Sequence, residues 1–187
     1  MRDEMLVELA LQGDDDALRQ LHDRYIGQVF QYAYTQTGDY HRAEEVAQDV
    51  MYKMAVNLAS FQGKSSFKTW LFAIGRRVVI DYHRKYKKDN EKIWLNEEQV
   101  LQVPEQRSVE GEVLRHSLRE QILRGLQQLS VDDRTVIYLR FVEGFSIDET
   151  AKIMSRTTLA IKSLQNRAKK KLAALIRSEV NEEDEQP

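Results

Sequence analysis

Between Ile161 and Leu175 the residues able to do chemistry are cations, one amide and one hydroxyl. Lys162, Ser163, Asn166 and Lys170 recur at helical spacing on one face, with Arg167, Lys169 and Lys171 on its flanks. Ammonium and guanidinium groups neutralise phosphates, whereas a short hydroxyl or amide side chain reaches base edges in a groove. The chemistry on offer is non-covalent reading of a duplex. An ordinary amphipathic hairpin with a solvated basic face would present the same residue types, so the elements that position them decide between the two.

Those elements are legible. Ser146 is followed three residues later by Glu149, a capping box that satisfies the orphan amides of a helix start. Ile147, Thr150, Ala151 and Met154 then form a short buried stripe, and the polar break Ser155, Arg156, Thr157 ends that helix and supplies a hydroxyl cap for the next. The second helix buries Ile161, Leu164, Ala168, Leu172 and Leu175. A short helix, a tight turn and a longer helix with a cationic outer face describe a helix-turn-helix whose second helix enters the major groove. Gly144 supplies a stop before this unit, and Val136 to Val142 is expected as its scaffolding helix, although its composition favours a strand.

A second cationic block lies upstream. The formal net charge is only -2, yet residues 61–88 carry 8 basic and 1 acidic side chains and residues 156–177 carry 7 and 0, within an otherwise acidic chain. Such segregation predicts two contact points on a polyanion. The upstream block opens with the turn Phe61 to Ser66, in which Gly63 is free to adopt positive φ and a serine can cap. A helix follows with Phe67, Trp70, Leu71, Ile74 and Val78 as its core stripe, Arg77, Arg84 and Lys88 along one side and Arg76 on the outer face. Trp70 reads as core. Phe72 and Ile80 fall off the stripe, which implies burial by a further helix or a partner.

Before this block, Asp14, Asp15 and Asp16 crowd the start of a helix that buries Leu18, Leu21, Tyr25, Val29 and Tyr32 and stops at Gly38. Asp39 caps the next, with Ala43, Val46, Ala47, Val50, Met54 and Leu58 inward. Opposite that stripe stand Glu45, Gln48, Asp49 and Tyr52, a row that suits either solvent or a protein partner. Residues 89–111 are acidic and contain Pro104, so they read as a linker. Val109 to Leu129 is expected as a helix, and Ser130 with Asp133 begins another. The acidic tail 179–187 is expected to be disordered.

The 187 residues allow one sizeable or two small domains, and with no cysteine there is no disulfide framework or thiolate metal site, in keeping with a reducing cytoplasm. No apolar run approaches a bilayer span, and the acidic start MRDEML is unlike an export signal. His22, His41, His83 and His116 are too far apart for an i,i+4 metal pair, and no phosphate loop or nucleophile elbow is present. No catalytic residue, metal, cofactor or small-molecule substrate is expected.

With these residues laid out, the chain resembles the extracytoplasmic-function (ECF) group of bacterial sigma factors over nearly its whole length. AEEVAQDVMYKM is similar to the segment that docks on the clamp helices of RNA polymerase core. FQGKSSFKTWLFAIGRRVVIDYHRK resembles the promoter-melting, minus-ten-reading segment, and LSVDDRTVIYLRFVEGFSIDETAKIMSRTTLAIKSLQNRAKKKL the minus-thirty-five-reading domain. The resemblance implies an all-α fold of two small helical domains: 1–88 for core binding and minus-ten recognition, 89–111 as linker, 112–178 as helix-turn-helix and 179–187 as tail. It implies core contacts by Glu45, Gln48, Asp49 and Tyr52. Minus-ten contacts would come from Phe61, Gly63, Lys64, Ser65, Ser66, Arg76, Arg77, Arg84 and Lys88, with the loop holding an unpaired base. Minus-thirty-five contacts would come from Thr158, Leu159, Lys162, Ser163, Asn166, Arg167 and Lys170.

Two positions depart from the family pattern: Arg77 stands where asparagine is common, and Leu159 and Ala160 replace Gly-Thr. The implied partners are RNA polymerase core, promoter DNA and an anti-sigma factor, which in this family is often membrane-bound. A free-standing operator-binding regulator is the alternative, and it would need neither the Glu45 to Tyr52 row nor a melting loop.

Overall fold

The computed structural model describes the backbone of residues 1–86 and 121–184, and side chains as far as Ser178. The expected linker, Lys88, His116 and the first part of the helix expected from Val109 lie outside the described residues. Every described element is helical, as the all-α reading requires, and no strand occurs among the described residues.

Four helices build the first module: α1 (Asp3–Leu11), α2 (Asp15–Thr37), α3 (Tyr40–Val56) and α4 (Phe67–Tyr86), with a 3-10 turn at Leu58–Ser60. The expected caps set their starts. Asp14 accepts from the amides of Asp16 and Ala17 at 2.9 and 3.1 Å, and Asp39 from that of Arg42 at 2.9 Å. Gly38 terminates α2 at φ +69°, a conformation that costs glycine nothing. Inward faces follow the helical stripes: Leu21, Tyr25, Val29 and Tyr32 from α2, Val46, Val50 and Met54 from α3, Phe67, Leu71 and Val78 from α4. Asp3 of α1 binds Arg24 and the Tyr25 hydroxyl, which fixes the first helix across α2.

The second module comprises α5 (121–127), α6 (Val131–Ile137), α7 (Ile147–Met154) and α8 (Thr158–Asp184). Residues 136–142 are helical in spite of their strand-like composition. Val136, Ile137, Tyr138 and Leu139 are all buried, so the first turn of this helix is enclosed on every side and shows no amphipathic period, whereas Phe141 and Val142 at its end are exposed. Its last turn, Tyr138–Val142, widens to a π-helix, and Gly144 at φ +72° releases the chain into the next helix. The backbone of α8 stays helical through Asp184, which carries it into the stretch 179–187 expected as a disordered tail. Propagating a formed helix needs only one further bond per residue.

The two modules pack against each other, α4 on α7 and α2 on α6. Phe72, which falls off the stripe of its own module, is 1% exposed and meets Tyr32 at 5.8 Å on one side and Phe145 of the helix-turn-helix at 5.2 Å on the other. The further helical layer implied by its position is therefore the chain's own second module. Beside it, burial and the adjacent Arg134 lower the His83 imidazole to about 4, and its Nε2 finds no partner among the described residues. Neutral in the folded chain, His83 takes up a proton on unfolding once the pH drops below its ordinary value near 6.5. Stability should thus decline as pH falls from about 6.5 towards about 4. Urea unfolding at about pH 7 and about pH 5 should show the loss, and His83→Gln should reduce it; an unchanged slope in that variant would place the acid sensitivity elsewhere.

Candidate nucleic-acid interface

The helix-turn-helix has the expected anatomy. Ser146 Oγ accepts from the Glu149 amide at 3.2 Å while the Glu149 carboxylate accepts from the Ser146 amide at 2.8 Å, completing the capping box. These capping bonds hold the Glu149 carboxyl below the usual carboxylate range. Ser155 ends α7 in the left-handed region at φ +52°, and Thr157 caps α8 by accepting from the Ala160 amide at 3.2 Å. Ile161, Leu164 and Ala168 turn inward, which sends Thr158, Leu159, Lys162, Ser163, Asn166 and Lys170 outward, all exposed. Leu159 is 73% exposed, an apolar side chain at the leading end of the presented face.

Arg167 is exposed too, but it leans back to Asp133 at 3.4 Å, and Lys171 reaches the same carboxylate at 2.7 Å. The Asp133 side chain is 1% exposed. Though burial pushes its carboxyl upward, the Lys171 and Ser130 hydrogen bonds outweigh that and hold it below the usual range. Asp133 thereby clips α6 to α8 and sets the roll of the recognition helix. Composition shows Asp133 as a helix-start residue; that it also holds two cations of α8 emerges only from packing.

In the first module, Glu45, Gln48 and Tyr52 are exposed on α3, and Asp49 is half-buried through its 2.9 Å ion pair with Lys53. Tyr52 is 67% exposed beside a groove of about 450 Å³ between α2 and α3, lined by Leu18, His22, Ile26 and Met51. The row and this apolar trough form one continuous surface.

The minus-ten set divides. Gly63 sits at φ +67° at the tip of the loop with Lys64 exposed beside it. Ser66 caps α4, its hydroxyl accepting from the Thr69 amide at 3.2 Å, while Phe61 folds inward against Phe67 and Trp70 at 5.6 and 5.5 Å. Phe61 thus stiffens the loop rather than projecting from it, and Trp70 packs on the core as expected. Ser65 is partly covered, whereas Arg77 and Arg84 are exposed, one above the other, with Arg84 near Asp81 at 3.6 Å.

Arg76 is not on the outer face. Its side chain is 14% exposed and points at the second module, where it meets Asp132 at 3.1 Å. Helical spacing places Arg76 on the outer face of an isolated module; the second module covers that face. Lys68, singled out by no motif, pairs with the Glu143 carboxylate at 2.7 Å over the rings of Phe72 and Phe145.

Two helical modules, one ending in an exposed basic recognition helix and the other in a basic helix with a capped loop, define a DNA-binding protein of transcription. Residues 21–89 match the model for sigma-70 region 2, and residues 119–172 match that for sigma-70 region 4. The chain is 31% identical over 182 residues to the ECF RNA polymerase sigma factor SigX of Bacillus subtilis, covering 91% of this chain and 90% of that relative. It is also 31% identical over 177 residues to the ECF RNA polymerase sigma-E factor of Escherichia coli, covering 90% and 91% respectively. Among solved structures it resembles the sigma factor RpoE in complex with the anti-sigma factor NepR from Bartonella quintana. That match has a TM-score of 0.68 and 26% identity, covering 85% of this chain and 96% of that one. CnrH in complex with the cytosolic domain of CnrY shares the fold at a TM-score of 0.70 and 24% identity, covering 94% and 97%. The chain belongs to the ECF sigma factors of bacterial RNA polymerase. It is an alternative sigma factor that directs transcription initiation. No described helix is long and apolar enough to cross a membrane.

Proposed function

We propose that the chain works as a non-catalytic, cytoplasmic promoter-specificity subunit whose three surfaces act in sequence. Glu45, Gln48, Asp49 and Tyr52, with the groove between α2 and α3, dock on the clamp helices of polymerase core. The outer face of α8 reads the duplex at minus thirty-five: Ser163 and Asn166 reach base edges, and Lys162, Lys170 and Arg167 meet phosphates. The loop from Phe61 to Ser66 takes an unpaired minus-ten base, with Arg77 and Arg84 along the backbone. Lys88 would continue that line.

The observation that carries this reading is the outward set on α8, where six chemically suitable side chains share one uncovered face. Phosphate contacts give affinity without sequence information, so Lys170→Ala should weaken binding evenly across promoters and reduce the salt slope by about one. A change in sequence preference would instead make Lys170 a base reader. Leu159 is suited to a thymine methyl, and Leu159→Ala should relax the preference at one position by about 1 kcal/mol; an untouched preference would remove it from the reading set.

The resemblance to the RpoE–NepR complex supports an anti-sigma factor as a further partner, which in this family is often anchored in the membrane. The test is run-off transcription from fragmented genomic DNA with sigma-free core polymerase. Added protein should give new transcripts with defined starts that share upstream elements. No new transcript, with duplex DNA still bound and core not bound, would mean a free-standing regulator instead.

A further inference from the structure

The recognition helix α8 is gripped by α6 from both edges. At the start of α6, Asp133 Oδ1 accepts from Arg167 at 3.4 Å and Oδ2 from Lys171 at 2.7 Å. In the π-turn at its end, Arg140 Nε donates to Gln165 Oε1 at 2.9 Å, and the Lys169 ammonium lies over the Phe141 ring at 5.4 Å. Each grip thus takes an i,i+4 pair of α8: Arg167 with Lys171, and Gln165 with Lys169. Two residues along a helix are a rotation of about 200°, so the two pairs lie on opposite edges. Between those edges, Leu164 and Ala168 fill the inward side, while Asn166 and Lys170 stand on the outward side.

Neither grip is readily given up. The Asp133 side chain is 1% exposed, and a buried carboxylate that loses its cations is costly. Lys171, although part of the cationic block, is therefore held by Asp133 rather than offered to a phosphate. Arg167 gives Asp133 one amine of a five-donor guanidinium and is 61% exposed, so the same side chain can hold Asp133 and face a phosphate. Arg140 is itself anchored, a terminal amine donating to the Phe145 carbonyl.

The apolar inward stripe of α8 resists separation more than rotation, because apolar attraction has no direction. Rotation matters for reading. A helix with its side chains has a radius of about 5 to 6 Å, so a roll of about 20° carries an outward tip roughly 2 Å. That exceeds the spread of hydrogen-bond lengths that a base edge tolerates. We infer that Asp133 and Arg140 are positioning residues for base reading: by gripping α8 on opposite edges they fix its roll, so that Ser163 and Asn166 meet their base edges together. The inference rests on the minus-thirty-five reading above.

The test is run with holoenzyme assembled from core polymerase and the full chain. Its templates are barcoded promoters carrying every single-base change in the upstream element that run-off transcription identifies, together with one scrambled element. With the unsubstituted chain, a wrong base should lower output on the order of tenfold. Asp133→Asn should shrink that penalty to about threefold at all the positions α8 reads, together, while output from the scrambled element holds within about twofold. Gln165→Ala changes no charge and leaves the buried carboxylate paired. It should shrink the penalty in the same joint pattern by a smaller factor, and it decides the matter if circular dichroism shows Asp133→Asn unfolded.

Unchanged penalties, or relaxation confined to one position, overturn the inference, since a roll moves every reader at once. A proportional fall on every template, scrambled included, also overturns it, because that marks a loss of fold alone. Relaxation by Asp133→Asn with Gln165→Ala unaltered would leave α8 held from one edge and overturns the two-sided arrangement. Failure of the underlying reading is distinct: run-off with the unsubstituted chain then yields no shared upstream element.

Discussion

Replacing Tyr52 by alanine is expected to weaken binding to polymerase core by about 2 kcal/mol, roughly thirtyfold. The aromatic ring is 67% exposed and borders the apolar trough between α2 and α3, so its loss removes contact area that only a partner would cover. Aromatic side chains at such a position dominate interface energetics, while charged neighbours on the rim govern rate and orientation. Gln48→Ala and Asp49→Ala should therefore cost less, and Asp49 least, because Lys53 already holds its carboxylate at 2.9 Å. Folding should be unaffected, since no core contact is lost. Affinity for isolated duplex DNA should also stay level, as the residues proposed to read DNA lie on α8, on α4 and in the loop before α4. Binding measured by fluorescence titration of core polymerase checks this; an unchanged affinity would move the docking surface off α3.

Arg134→Ala should lower the stability of the full chain by about 3 kcal/mol, a large part of the 5 to 15 kcal/mol typical of a domain. The guanidinium is buried on α6 yet pairs with no carboxylate among the described residues. It donates instead to the carbonyls of Gln36 at 2.9 Å, Thr35 at 3.4 Å and Leu129 at 3.2 Å, and to the Gln127 side chain. Thr35 and Gln36 form the last turn of α2, where unpaired carbonyls give the helix its negative end. The helix terminus thus supplies the negative partner that no carboxylate among the described residues does. Burial still lowers the Arg134 guanidinium to about 10, which leaves it charged at neutral pH. Alanine would remove the donor and leave the Gln36 and Leu129 carbonyls to find water at the module boundary, while Thr35 keeps the Gln127 amide at 2.9 Å. Arg134→Met keeps the apolar stem's volume and should recover part of the loss. Urea unfolding followed by circular dichroism measures both variants. A cost below about 1 kcal/mol for alanine would mean that water satisfies those carbonyls readily.

Arg134 and Tyr52 differ in how far they can be read from the chain. The face of α3 that carries Tyr52 follows from the period of its buried neighbours, and so do the outward set on α8 and the capping box of Ser146 with Glu149. Each depends on residues within a few turns, and local spacing fixes which way a helical side chain points. The expected helix over Val136 to Val142 held for a related reason: a glycine stop and the need for a scaffold outweighed β-propensity, which is a weak and context-dependent preference.

Arg76, Asp132, Arg134 and Glu143 belong to the other kind. Arg76 lies in α4 and its acceptor in α6, 56 residues away. No periodicity couples positions at that separation, because the contact exists only when two modules are placed together. The one local trace was Phe72, an aromatic off its own stripe, which required a neighbour without saying which.

The amino-acid sequence by itself determined the helices from α2 onward, their caps and most of their inward faces, the two cationic blocks and the outward face of α8, since each follows from hydrogen-bonding geometry and apolar spacing along one helix; α1 carried no such signal. Only the tertiary structure decided that α4 turns its Lys68, Thr69 and Arg76 edge toward the carboxylates of the second module, that Asp133 clips α6 to α8, and that Arg134 closes the end of α2. Those are pairings of charge and shape across long separations, whose free energy depends on burial and distance in three dimensions rather than on order along the chain.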